Sequence, residues 1–209
     1  VLLTGAGRGF SAGTDLAEMQ ARITDPDFQE GKYGFRGLID ALTAFPKPLI
    51  CAVNGVAAGA GANVAFACDI VLAAKSARFI QAFSKIGLVP DAGGSWTLTR
   101  ILGEPRAKAL TMTAEPLAAQ TAADWGLIWK AVDDDALMDE ATALARKLAG
   151  GATLGLGMTK RLIQEAQDND FDTHLDRERD LQRQAGESAD YAEGVAAFLD
   201  KRPPNFRGA

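Results

Sequence analysis

The chain is predicted to be an α/β protein, with a core of βα units on parallel strands and a mostly helical C-terminal extension. Three observations predict it. Short apolar or β-branched runs alternate with stretches of helical spacing through the N-terminal part. Leu49–Val53 is apolar at every position, as a strand covered on both faces should be. From Glu104 onward helical segments dominate, with a single strand-like run at Ile128–Val132. The organisation expected is a core over residues 1–134 and a helical region over 135–209. At 209 residues, 47% of them hydrophobic and 23% charged, such a chain can bury a core of its own.

Taken in order, Val1–Thr4 reads as a strand, followed by a Gly-rich turn and a short helix from about Asp15. Leu38, Leu42 and Phe45 give Tyr33–Phe45 a helical period, and Pro46-Lys47-Pro48 ends it. Asn54–Gly61 is a Gly/Ala turn into a helix at Ala60–Ala67; Ile70–Ala73 and Arg78–Gln81 are further strands. Phe83–Pro90 reads as an extended connection. After Asp91-Ala92-Gly93-Gly94 a helix runs through Trp96, Leu98 and Ile101 to Gly103. Long helices follow at about Asp135–Leu148, Thr153–Gln167 and Thr173–Gly186. Trp96, Trp125 and Trp129 fall at core-like spacings and are expected to be buried.

Several function classes are excluded early. A net charge of -5 does not suit a nucleic-acid binder, which needs a surplus of Lys and Arg on one face. Cys51 and Cys68 lie in apolar runs and read as buried free thiols. With His174 as its one histidine, the chain has little with which to build a metal site or a His-dependent dyad. The apolar stretch Gly55–Ala74 approaches membrane-spanning length, but Asn63 and Asp69 interrupt it and Ala and Gly compose it. No membrane partner is expected, and the cytoplasm is the default location. The chain opens inside an apolar run without Met, so an N-terminal piece is expected to be missing from the numbering.

Two Gly-rich turns carry the chemistry. In the first, Gly5–Gly13, a dinucleotide fingerprint fails because Phe10 stands where a third glycine is required. Gly9-Phe10-Ser11-Ala12-Gly13 does match the serine-hydrolase elbow, yet turn residues separate Ser11 from the strand ending at Thr4, and His174 alone could complete a triad. The alternative is a backbone that approaches a ligand closely and leaves peptide N–H groups free to donate. The second turn, Asn54–Gly61, leads into a helix, whose first N–H groups lack intrahelical acceptors and favour an oxyanion. Converged, the turns form a two-donor oxyanion hole; unconverged, they are two helix-capping turns.

The segments GRGFSAGTDL, PKPLICAVNGVAAGAGANVAFACDIVLAAKSARF, GLVPDAGGSWTLTRILG and WGLIWKAVDD resemble the enoyl-CoA hydratase/isomerase (crotonase) superfamily, and in this order cover essentially the whole chain. The run AFSKIGLVPDAGG and the tail DRERDLQRQAGESADYAEGVAAFLDKRPPNF resemble its ring-1,2-epoxyphenylacetyl-CoA isomerase branch. The resemblance implies a ClpP/crotonase-like spiral of ββα units and an acyl-CoA thioester as substrate. No cofactor is implied beyond the coenzyme A of the substrate. It also implies a homotrimer or dimer of trimers built through the C-terminal helices, and places in phenylacetate catabolism or fatty acid metabolism.

By the same resemblance, the oxyanion amides belong to Ala12 and Ala60, with Phe10, Gly13, Thr14, Asp15, Leu16, Gly59, Gly61, Asn63 and Phe83 around the substrate. Asp15 and Leu16 are expected to support the first turn by capping and packing. Losing one oxyanion donor typically costs ~3–4 kcal/mol of barrier, so the pair can supply much of the catalysis. Hydratases of the superfamily carry two glutamates; here Asn63 and Phe83 stand at those positions, and neither exchanges a proton near neutral pH. Asp91, before the Gly-Gly turn, stands where isomerases have an acid and would move one proton between carbons. Its plain alternative is capping of the following helix. Asn63 would bond a neighbouring backbone group or orient substrate. Arg8, Lys201 and Arg202 are candidates for the coenzyme A phosphates. The alternatives to an isomerase are an enoyl-CoA hydratase and a catalytically silent acyl-CoA-binding homologue.

Overall fold

In the computed structural model, which describes residues 1–23 and 35–209, the strands form two four-stranded sheets. The first holds β1 (Leu2–Thr4), β3 (Ile50–Val53), β5 (Ile70–Ala74) and β8 (Lys130–Val132), side by side in that order and all parallel. The second holds β2 (Gly9–Ser11), β4 (Val56–Ala58), β6 (Arg78–Ile80) and β7 (Leu117–Ala118). Its first two pairings are parallel and β6–β7 is antiparallel. Each of β1, β3 and β5 is followed within a few residues by its partner strand in the other sheet, so the chain winds as a spiral of ββα units.

The helices of this part are α1 (Leu16–Ile23), α2 (Arg36–Ala44), α3 (Ala60–Phe66), α4 (Gly94–Thr113) and α5 (Ala119–Asp124). The start of the second expected helix, at Tyr33, lies outside the described residues. β3 sits between β1 and β5, and Cys51, Ala52 and Val53 are wholly buried, as the unbroken apolar run requires. Truncating a side chain such as Ile50 there to Ala would cost ~2–5 kcal/mol. Cys51 and Cys68 are buried free thiols, and their contact together with burial holds the Cys51 thiol well above its ordinary pKa.

Several expectations need correction. Phe83–Pro90 is not simply extended: Ala82–Ile86 forms a 3₁₀ turn closed by Gly87 in the left-handed region (φ 72°). The helix expected to stop at Gly103 bends there and resumes, with Pro105 inside the first turn of its second segment, where the missing N–H costs nothing. The tryptophans are not core residues: Trp96 and Trp129 are exposed, and the Arg100 guanidinium lies 3.9 Å from the Trp96 ring centre. Leu98 and Leu102 take the buried side of α4, which turns Trp96 outward.

The chain divides into two compact units, one of residues 2–43 and 49–141 and one of residues 1, 44–48 and 142–209. The boundary falls within α6 (Leu137–Ala149). The second unit contains α7 (Thr153–Glu165), α8 (Phe171–Gly186) and α9 (Ala189–Leu199). Asp170 caps α8 by accepting from Thr173 N at 2.8 Å, so that helix starts at Phe171, two residues before the expected Thr173, and Ser188 caps α9 through Tyr191 N at 3.0 Å. A β-carbon on Gly157 would stand 2.1 Å from Pro46 O, so only glycine lets the Pro46-Lys47-Pro48 segment lie on α7. Buried Asp190 fastens the tail, accepting from Arg207 N at 2.7 Å and Gly208 N at 2.9 Å. No helix among the described residues is long and apolar enough to cross a membrane.

Candidate active site

The first turn is shaped by Asn54, the residue after β3. Its Oδ1 accepts from Gly5 N at 3.1 Å, and its Nδ2 donates to Gly7 O at 2.9 Å and Gly9 O at 3.3 Å. Glycine is required at Gly55, where a β-carbon would stand 2.2 Å from Arg8 O. Much of the glycine content therefore serves backbone-on-backbone packing between the two turns rather than approach to a ligand. Gly5–Arg8 do separate Ser11 from the strand ending at Thr4, but Ser11 itself ends a second short strand, β2, which was not expected. No helix follows the serine at once, however: Ala12–Asp15 intervene before α1, and Ser11 Oγ accepts from Gly13 N at 3.2 Å. His174 stands on α8 with its ring 3.8 Å from Glu178 and 3.5 Å from Asn169. That is no nucleophile elbow.

The two turns meet. Gly13, at φ 86°, lies so close to the second turn that a β-carbon on it would stand 3.1 Å from Ala58 O and 3.2 Å from Ala60 N. A β-carbon on Gly61 would stand 2.6 Å from Ser11 O, so this position admits only hydrogen. Ala60 is the first residue of α3, which has no side-chain cap, and the helix offers its N–H no acceptor. Gly59 precedes it at φ 54°, ψ -129°, a conformation open essentially to glycine alone. Ala12 and Thr14 are exposed, Phe10 and Gly13 partly so, and Ala60 and Gly61 are buried.

The supporting residues fall as follows. Asp15 Oδ1 accepts from Ala17 N at 2.9 Å and Glu18 N at 3.2 Å, which caps α1. Leu16 does not pack beneath the turn as expected; it is exposed. Phe83 is buried, and its ring tip would be 3.7 Å from a β-carbon on Gly59. The aromatic edge therefore lies beside the second turn.

Asp91 does not cap α4. The capping residue is Gly93, and no side chain caps the helix. Instead Asp91 O accepts from Gly94 N at 2.8 Å, closing a turn in which Ala92 (φ 48°) and Gly93 (φ 76°) are both left-handed. For an alanine this conformation costs roughly 1–2 kcal/mol, and strain of this kind persists where surrounding contacts enforce it. The enforcing contact is Asn63, from the first turn of α3, whose Nδ2 donates to the same Asp91 O at 2.9 Å. The strained turn is thus tied one helical turn from Ala60. Partial desolvation raises the Asp91 carboxyl above its ordinary pKa, against a smaller lowering by its own backbone N–H. The residue as a whole is exposed, so the carboxyl is shielded on one side only.

Sequence reasoning missed Asn54 and Gln81. Gln81 is buried and donates from Nε2 to Asn63 Oδ1 at 2.9 Å. Asn54 stood beside a glycine turn, which is a usable signal; Gln81 had none, since its partner lies in another element. The three phosphate candidates differ. Arg8 is exposed beside the first turn. In the helical unit Lys201 is exposed at φ 56°, while Arg202 is committed to Glu193, at 2.7 and 3.0 Å, and holds that carboxylate down at about 2. No cluster of His, Cys, Asp and Glu among the described residues could hold a metal ion.

The comparisons with known proteins agree with this architecture. The enoyl-CoA hydratase/isomerase family model matches residues 1–209. The chain is 53% identical over 211 aligned residues to the 1,2-epoxyphenylacetyl-CoA isomerase of Escherichia coli (strain K12), covering 100% of this chain and 80% of that protein. It is 43% identical to a probable enoyl-CoA hydratase of Rhodobacter capsulatus, with coverage of 100% and 80%. Among solved structures, an enoyl-CoA hydratase from Polaromonas sp. JS666 superposes with a TM-score of 0.94 at 39% identity, covering 99% of this chain and 81% of the other. The spiral of ββα units, the two joined turns and these matches along its full length establish that the chain belongs to the enoyl-CoA hydratase/isomerase family.

Proposed function

We propose that this protein is an acyl-CoA isomerase of the ring-epoxyphenylacetyl-CoA or Δ3-Δ2 enoyl-CoA type. The amides of Ala12 and Ala60 hold the thioester carbonyl while Asp91 takes a proton from one carbon and returns it to another. The observation that carries this reading is the contact of the two turns at Gly13 and Ala60, with Asp91 tied to the same helix through Asn63. As the α-carbon loses its proton the carbonyl oxygen gains negative charge, and preorganised N–H donors stabilise that charge more than the neutral ester. One shielded carboxylate with a raised pKa suits a proton that leaves and returns. The identity to an isomerase points the same way.

Asp91→Asn should lower turnover by about 10²–10⁴-fold while acyl-CoA binding persists; full activity would end the proposal. In the native enzyme kcat/KM should fall on the acid side with a midpoint above that of an ordinary aspartate, because burial raises the Asp91 pKa and removes the ionised base at a higher pH. The same shift opposes ionisation in the folded state. Asp91 therefore favours folding most below the ordinary aspartate pKa, and that contribution is lost as pH rises through its folded value. A pH–rate profile whose acid limb survives in Asp91→Asn would assign the limb elsewhere.

The hydratase reading is supported by the names of the Rhodobacter relative and of the Polaromonas structure. Mass and NMR analysis of products from enoyl- and epoxyphenylacetyl-CoA esters separates the two. Unchanged mass with a moved double bond or rearranged ring means isomerase; gain of water means hydratase; binding without turnover means a silent homologue. Self-association through the helical unit goes with this reading, supported by exposed Phe171, Phe198 and Leu199.

A further inference from the structure

The amides of Asn63 and Gln81 have only one consistent orientation. Asp91 O can only accept, so the Asn63 atom facing it at 2.9 Å is the amide nitrogen. That turns Asn63 Oδ1 toward Gln81, whose facing atom, also at 2.9 Å, must then be the donor Nε2. Gln81 Oε1 is left buried without a partner among the described residues. The bonds therefore run one way, Gln81 to Asn63 to the main chain of Asp91. Asn63 is 2% exposed and Gln81 4%, so neither has surface to offer a substrate. Gly94 closes the arrangement: a β-carbon on it would stand 2.2 Å from Asn63 Nδ2. The chain thus holds the 91–94 turn, with its left-handed Ala92 and Gly93, by a tertiary bond that local sequence cannot supply.

We infer that Asn63 and Gln81 are positioning residues for Asp91, acting on the reaction only through its main chain. The inference rests on the reading of Asp91 as the proton carrier. It also reassigns Asn63, expected above to touch substrate, to a place behind the reacting groups. A buried, half-satisfied glutamine is a costly way to fill a core, and its one bond goes to the residue that sets the turn.

The test is a mutant cycle on the whole protein, with kcat, KM, pH–rate profile and thermal unfolding read for each variant. Asn63→Asp is nearly isosteric but replaces the donor with an acceptor facing Asp91 O. It should lower kcat by about 10- to 100-fold, leave KM for the acyl-CoA ester within about twofold, and displace the acid-limb midpoint. Gln81→Met should do the same more weakly, and should add nothing in the Asn63→Asp background. In the Asp91→Asn background, Asn63→Asp should leave the residual turnover unchanged. The inference is overturned if Asn63→Asp raises KM instead, if it lowers residual turnover equally without Asp91, or if it moves only the unfolding temperature. Should Asn63→Asp not fold, Gln81→Met decides alone by the same kcat and pH readouts. An inactive Asp91→Asn beside fully active Asn63→Asp and Gln81→Met sinks the positioning role only; a fully active Asp91→Asn sinks the proton-carrier reading first.

Discussion

The Ala12 turn and the Ala60 turn meet in space but are held by different means. The first is exposed and depends on side chains: two hydrogen bonds donated by Asn54, one accepted by it from Gly5 N, and one accepted by Ser11 Oγ fix its path. The second lies between β4 and α3, with Ala57 and Ala60 buried and Gly59 N donating to Ile80 O at 2.8 Å. Each hydrogen bond of the first turn is worth only about 1 kcal/mol net, whereas the second moves only if the sheet and helix around it move. One turn is therefore set by the core and the other is leaned against it. The point where they lean is Gly13 and Gly61.

Substitution at three glycines grades that difference. The largest effect is expected at Gly61→Ala, where the new methyl would meet Ser11 backbone oxygen at 2.6 Å as well as its side chain. Overpacking against backbone should cost about 3 kcal/mol or more, read as a lower unfolding temperature together with loss of turnover. An unchanged unfolding temperature would mean that the turns part easily. Gly13→Ala comes next: left-handed strain of about 1–2 kcal/mol adds to a contact at 3.2 Å with Ala60 N. Turnover should fall further than stability does, since the strain is directed at the clamp itself. The smallest effect belongs to Gly7→Ala. Gly7 is equally left-handed, at φ 71°, but has nothing within 4 Å of the added carbon. It should cost about 1 kcal/mol of stability and leave kcat unaltered; a loss of kcat there would show that the whole first loop, not its contact with Ala60, sets the donor.

The parallel core was legible because its signals are local. Ile50–Val53 and Ile70–Ala74 are apolar runs, and they are strands. Of the second sheet only β6 was legible, within the expected strand Arg78–Gln81. Its members β2 and β4 are GFS and VAA, three residues each, drawn from what reads as turn sequence. Strands that short are defined by their neighbours rather than by composition. The capping of α8 by Asp170 and of α9 by Ser188 uses ordinary cap residues, yet α9 went unread although Ser188 precedes it and Pro203-Pro204 follow it. At the site, Ala12, Ala60 and Asp91 were singled out through family resemblance; glycine content alone pointed only to tight turns.

Sequence by itself determined which segments could be buried strands and where the two glycine turns lie. Tertiary structure alone decided that the turns touch, that Asp91 sits on a left-handed turn instead of capping a helix, and that Gln81 stands behind Asn63. The physical reason is range. Strand pattern and turn chemistry act over a few neighbouring residues, but a hydrogen bond between residues 28 apart, such as Asn63 to Asp91, exists only after the chain has brought them together.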